Sequence, residues 1–115
     1  MHELGLAHGI VELVQTAAEA EGVAKVAVVH VQVGRLAGVE AGALLFSFEI
    51  AAEGTRVAGA RLHITDVPVA IWCAACNAER ELAGVNRFRC PVCETPSGDI
   101  RRGKELEVTS IEVEQ

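Results

Sequence analysis

The apolar positions fall into four stretches of regular period before residue 66 and one more near the end. Leu6, Ile10, Leu13, Val14, Ala17 and Ala18 recur at helical spacing, and Glu12, Gln15, Glu19 and Glu21 lie mostly off that stripe. The spacing predicts a helix over 4–21, ended by Gly22. A strand follows over 25–33, in which Ala27, Val29, Val31 and Val33 alternate with Val26, Val28, His30 and Gln32, a face that turns polar halfway. Gly34 and Gly38 bracket a loop. Ala41, Leu44, Leu45, Phe48 and Ala51 predict a second helix over 40–52, stopped by Gly54-Thr55. Ala58, Ala60, Leu62 and Ile64 predict a second strand over 56–65, and Pro68 closes that region. The last strand, over 104–113, begins with Leu106 and Val108 and continues on the opposite parity with Ile111 and Val113. The reading is α+β, a three-stranded sheet with two helices on one face. The α/β domain spans 1–67 and is completed by the strand in 100–115.

Between Pro68 and that last strand the pattern changes. Residues 68–99 contain every cysteine of the chain, as Cys73-Ala-Ala-Cys76 and Cys90-Pro-Val-Cys93. Two C-x-x-C turns on a short connection aim four thiolates at one ion, a tetrahedral shell that suits Zn²⁺ and leaves no position open for substrate. The expectation is an inserted, zinc-ribbon-like module held together by structural zinc, because so few residues supply little core. Disulfides, four-thiolate iron and C-x-x-C redox chemistry are the other readings of the same residues. Arg87 and Arg89 flank Cys90 and are placed to offset an anionic cluster, or are solvated charges.

Composition narrows the function classes. The 115 residues are half hydrophobic, with Trp72, Phe46, Phe48 and Phe88 as the aromatics, so the core is built from Val, Leu, Ile and Ala. Ten basic residues against sixteen acidic give a formal charge of −6, which argues against a nucleic-acid ligand. No apolar run approaches a membrane span of about 20 residues, and the start lacks the pattern of a signal peptide. The chain reads as cytoplasmic, where thiols stay reduced.

The beginning, Met1-His2-Glu3, is the second feature with chemistry in it. The Met1 amine, the backbone nitrogen and imidazole of His2, and the amide nitrogen of Glu3 can surround one cation with four nitrogens, a set suited to Ni²⁺ or Cu²⁺. The amides must lose protons to bind, so affinity falls with acid. A solvated terminal histidine is the plain alternative. His8 lies off the helical stripe, and His30 and His63 become neighbours if their strands pair. The chain contains no G-x-S-x-G, no P-loop and no H-E-x-x-H, so no catalytic machinery is readable and the protein is not read as an enzyme.

These features together resemble the HypA/HybF family of hydrogenase nickel-incorporation proteins. The resemblance rests on Met1-His2-Glu3, Val33-Gly34 followed by Val39-Glu40, Phe48-Glu49 in the second helix, and the two C-x-x-C pairs at this place in the chain. It implies a nickel metallochaperone. Transferable Ni²⁺ would be held at Met1, His2 and Glu3, and structural Zn²⁺ by Cys73, Cys76, Cys90 and Cys93. It also implies work with a HypB-type GTPase to load the large subunit of NiFe hydrogenase, and, in some members, urease. Glu40 matches a position near the nickel site in some relatives. The expected partners exclude nucleic acid and membrane and include a weak homodimer. A zinc-ribbon adaptor without nickel delivery is the alternative. The chain has no histidine after His63 and none beside its cysteine pairs, so direct acid signalling from zinc to nickel is not expected here.

Overall fold

The computed structural model describes residues 3–114. Helix α1 spans Glu3–Ala20, strand β1 Lys25–Gly34, helix α2 Ala41–Ala52, strand β2 Arg61–Val67, β3 Ala70–Cys73, β4 Ala78–Glu81, β5 Ile100–Arg102 and β6 Leu106–Glu114. The strands form two three-stranded sheets, in order β2-β1-β6 and β4-β3-β5. The chain divides into two compact units. One comprises Met1–Val31, Val39–Thr65 and Glu107–Gln115; the other comprises Gln32–Gly38 and Asp66–Leu106.

In the first unit, α1 ends as the sequence predicts. Gly22 is left-handed (φ 67), its N–H donates to Glu19 O at 3.1 Å, and the Val23 N–H donates to Ala18 O at 2.9 Å. That pair of bonds satisfies carbonyls the helix would otherwise leave bare. The stripe that enters the core is Ala7, Ile10, Val11, Val14 and Ala18. Leu13, read as inward, is 59 % exposed. On α2 the buried set is Leu44, Ser47, Phe48, Ala51 and Ala52, while Leu45 faces out. Both helices are apolar on several sides, and periodicity does not fix the inward face of such a helix.

Val29, Val31 and Val33 are buried along β1. His30 lies on the opposite side of the sheet, beside the exposed His63 of β2 and Glu112 of β6. That side is open to solvent, and the two helices cover the other. On β6 the half-buried apolar residues are Val108 and Ile111, three apart, so the inward parity changes within the strand.

The second strand starts later than its alternation suggests. Residues 56–59 are turns, stitched by Ala58 N–H to Thr55 O and Ala60 N–H to Val57 O, and β2 begins only at Arg61. Gly54 (φ 76) and Gly59 (φ 77) adopt left-handed conformations, and the Thr55 hydroxyl bridges Ala52 O and the Val57 N–H. These local bonds satisfy backbone groups that a strand would pair across the ladder.

The second unit has a small core of Val69, Ile71 and Leu82, with Leu36, Phe88 and Ile100 packed against it. β3 pairs antiparallel with β4 in the register Ile71 to Arg80 and Cys73 to Ala78. On its other side β3 pairs with β5, with a register irregularity between Ala70 and Ile71. Gly34 passes against Gly103 so closely that a Cβ would sit 2.1 Å from the Gly103 carbonyl oxygen, which only glycine tolerates. The Leu36 N–H donates to that same oxygen at 2.8 Å.

Candidate metal centre

Each C-x-x-C segment is a tight turn built the same way. The residue after the second cysteine is left-handed in both: Asn77 (φ 53) after Cys76 and Glu94 (φ 61) after Cys93. Non-glycine residues enter this region sparingly, and asparagine is among those that do so most readily. The turns direct backbone N–H groups at the first sulfur of each pair. The Cys76 N–H donates to Cys73 Sγ at 3.4 Å, and Cys90 receives backbone N–H groups from Cys93 and Val92.

The four sulfurs lie within 4.8 Å of one another. Short contacts run between the pairs: Cys73 to Cys93 at 3.5 Å and Cys76 to Cys90 at 3.8 Å. All four cysteines are free thiols, so the disulfide alternative does not describe this structure. A tetrahedron with Zn–S bonds of about 2.3 Å has sulfurs about 3.8 Å apart. The donor set and its span therefore fit Zn²⁺. Cys73 and Cys90 are buried, Cys76 is half-buried and Cys93 is exposed.

The environment differs among the thiols. Backbone N–H groups, that of Cys93 foremost, bring Cys90 down to about 6. The Thr95 hydroxyl lies 3.1 Å from Cys93 Sγ and is the first cause of that thiol's lowered pKa. At Cys73 the Cys76 N–H pulls downward, but burial and the neighbouring sulfurs outweigh it and push the thiol up to about 11. The first sulfurs of the two turns are thus pushed in opposite directions, and a bound cation expels any proton that remains on them.

The cation that attends the cluster is Arg80. The Cys76 and Cys90 sulfurs raise its pKa, while its buried Nε makes no hydrogen bond among the described residues. Arg87 and Arg89 flank Cys90 in sequence, yet Arg89 reaches only the Glu94 carbonyl, at 3.4 Å. Both are exposed, which fits solvated charges. Strand parity is the signal that finds Arg80, since Cys73 pairs with Ala78 and Ile71 with Arg80, which puts all four on one face of the ladder.

Met1 and His2 lie outside the described residues. Glu3, the first residue of α1, is described, and its Oε2 accepts the Glu40 N–H at 3.1 Å. Glu40 is the N-cap of α2, and its carboxylate accepts from Gly42 N–H at 3.1 Å and Ala43 N–H at 2.5 Å. The start of α1 is thereby tied to the start of α2, which brings together two of the residues the sequence singles out. Glu40→Ala removes the acceptor for two amides, and a loss of about 1 kcal/mol is expected. Urea unfolding followed by far-UV circular dichroism measures it.

Two helices beside a sheet and a cluster of four cysteines at tetrahedral spacing define a metal-binding protein. The profile of the family described as "Hydrogenase/urease nickel incorporation, metallochaperone, hypA" matches residues 1–113. The hydrogenase maturation factor HypA of Chloroflexus aurantiacus is 52% identical over 112 residues, covering 97% of this chain and 98% of its own. HybF of Salmonella typhimurium is 41% identical over 114 residues, covering 99% of this chain and 100% of its own. The solution structure of the nickel metallochaperone HypA from Helicobacter pylori shares the fold, with a TM-score of 0.66 at 22% identity over 98% of this chain and 97% of that one. The chain belongs to the HypA family of nickel metallochaperones for hydrogenase maturation.

Proposed function

We propose that this protein carries Ni²⁺ at Met1-His2-Glu3 and delivers it to the large subunit of a NiFe hydrogenase with a HypB-type GTPase, while Cys73, Cys76, Cys90 and Cys93 hold a structural Zn²⁺. The observation that carries the reading is the family match, which begins at residue 1 and takes in both the terminal motif and the four cysteines. The bonds from Glu3 to Glu40 and from Glu40 to α2 support it. They fix residue 3, the last residue of the motif, against the start of α2. The Glu3 and Glu40 carboxylates are taken up by backbone amides, which leaves the nitrogen donors of the terminus as the natural nickel set. Reduced thiols in the cluster suit a cytoplasmic protein. No described helix is long and apolar enough to cross a membrane.

In this reading residues 1–67 with the strand in 100–115 act as the nickel-binding domain, and residues 68–99 as the zinc-binding insert. Transfer without release to solvent requires the partner to dock beside the nickel end. Both helices present apolar side chains to solvent: Leu4 and Leu13 on α1, and Leu45, Phe46 and Ile50 on α2. Such residues favour a protein contact, and a weak homodimer in the absence of the GTPase would use the same faces. Hydrogen exchange with and without a HypB-type GTPase tests the docking. Protection is expected in α1 and α2, and protection confined to residues 68–99 would contradict it.

A further inference from the structure

On the open face of the larger sheet, three strands place three side chains in a row. His30 Nδ1 of β1 lies 3.4 Å from His63 Nδ1 of β2, and His30 Nε2 lies 2.6 Å from Glu112 Oε2 of β6. The rings meet edge-on, with centroids 5.1 Å apart and an interplanar angle of 62°. The order β2-β1-β6 makes the row possible, because residues 33 and 82 apart in sequence come side by side only across that sheet.

We propose that His30 and His63 form a second divalent-metal site, separate from the cysteine cluster and from the N-terminal motif. The site takes a cation of tetrahedral preference such as Zn²⁺, with Glu112 as the carboxylate behind His30. Three features lead there. First, two imidazole nitrogens bound at about 2.05 Å to a tetrahedral Zn²⁺ stand about 3.3 Å apart, whereas a right-angled pair at that length stands about 2.9 Å apart. The observed 3.4 Å matches the tetrahedral span.

Second, the Glu112 carboxylate accepts only, so His30 must donate its Nε2–H to it. That fixes the tautomer and leaves the Nδ1 lone pair of His30 facing His63. A carboxylate behind a ligating histidine is the usual companion of a metal-bound imidazole. Third, the row is reachable from solvent: the His30 side chain is 27% exposed and that of Glu112 60%. With His30 donating to Glu112, the hydrogen bond between the two Nδ1 atoms requires His63 to supply its proton. When a cation takes that place, the His63 proton moves through solvent to its Nε2, so binding costs no net proton. Two imidazoles leave the remaining positions to water, so the site is open, unlike the sulfur cluster, and its ion exchanges readily.

The test uses the full chain, zinc-loaded and carrying His2→Ala so that the terminus does not compete, titrated with Co²⁺. The expected result is about one further equivalent of Co²⁺. It shows the strong visible d–d bands of a tetrahedral ion, no sulfur charge-transfer bands, and paramagnetic broadening of the His30 and His63 imidazole resonances. His63→Gln, whose amide keeps a hydrogen-bonding group beside His30, abolishes this binding. Glu112→Gln weakens it about tenfold, and His8→Gln leaves it unchanged. Cobalt binding that survives His63→Gln, an octahedral spectrum, or imidazole resonances that stay sharp would each overturn the site.

Discussion

Cys90→Ser protein, purified under reducing conditions, is expected to lose its zinc and the fold of the unit that contains it. Wild-type protein should hold about one zinc per chain. The unit around Asp66–Leu106 has a core cluster built on Val69, Ile71 and Leu82, with Val67 and Ala70 also buried, and strands of three and four residues. So small a core does not repay the conformational entropy of ordering the chain around it. Metal binding to a structural site of this kind supplies about 10 kcal/mol or more in zinc-finger peptides, and that free energy is folding free energy. The variant should therefore show collapsed amide dispersion for residues 66–106, while α1 and α2 keep theirs, since their core of Val14, Leu44 and Phe48 lies wholly in the other unit. Serine is a poor zinc ligand at neutral pH because its hydroxyl does not ionise there. Full zinc retention by Cys90→Ser, with dispersed spectra, would contradict the four-thiolate assignment.

Acid should act on the same cluster in a stated direction. Cys90 has a folded pKa of about 6, below the ordinary thiol value of 9.0. A lowered pKa contributes stability that is present above the unfolded value and is lost as pH falls through the folded one. Without metal the unit does not stay folded, so the dependence is read on the zinc-loaded protein, where falling pH protonates the thiols and releases the ion. Metal binding lowers the thiols further and moves the loss to more acid conditions.

The parts of the fold that were legible in the sequence are those where local chemistry and tertiary packing agree. The αL glycine at Gly22 ends α1, and Val29, Val31 and Val33 bury one side of β1. Glu40 stands at the start of α2 as its N-cap. Legibility failed where small residues alternate without a packing reason. Ala58 and Ala60 mimic strand periodicity, but Gly54, Thr55 and Gly59 bind that segment into turns. Leu13 and Leu45 are apolar and fall on the helical stripes, yet both face solvent. The strands β3, β4 and β5 are too short for alternation to reveal, and the cysteine spacing announces their hairpin instead. At the cluster, the free thiols and their mutual distances follow the C-x-x-C pattern, while Arg80 became visible only through the β3–β4 register. The pairing of His30 with His63 was conditional on strand order, and Glu112 joined them from a strand whose neighbour the sequence did not name.

Nickel binding is the largest functional effect expected. His2→Ala removes the imidazole from a set that would otherwise comprise the Met1 amine, that imidazole and one or two deprotonated amides. Since residue 2 precedes α1, the substitution should leave zinc content and fold unchanged. Wild-type Ni²⁺ binding should weaken as pH falls, because protons compete for the imidazole and the amides. Cu²⁺ should bind more tightly than Ni²⁺, as the order of divalent affinities requires, so selectivity in the cell comes from metal supply and from the docking partner.

The central claim is tested most directly by titrating tag-free, zinc-loaded protein and its His2→Ala variant with Ni²⁺, followed by calorimetry and visible absorption. The account predicts about one diamagnetic, nitrogen-ligated Ni²⁺ per wild-type chain. It should show a weak d–d band, no thiolate charge transfer, and loss of binding in the variant. Equal Ni²⁺ affinity in the two proteins would contradict nickel carriage at Met1-His2-Glu3 and leave the zinc-ribbon adaptor as the reading of this chain.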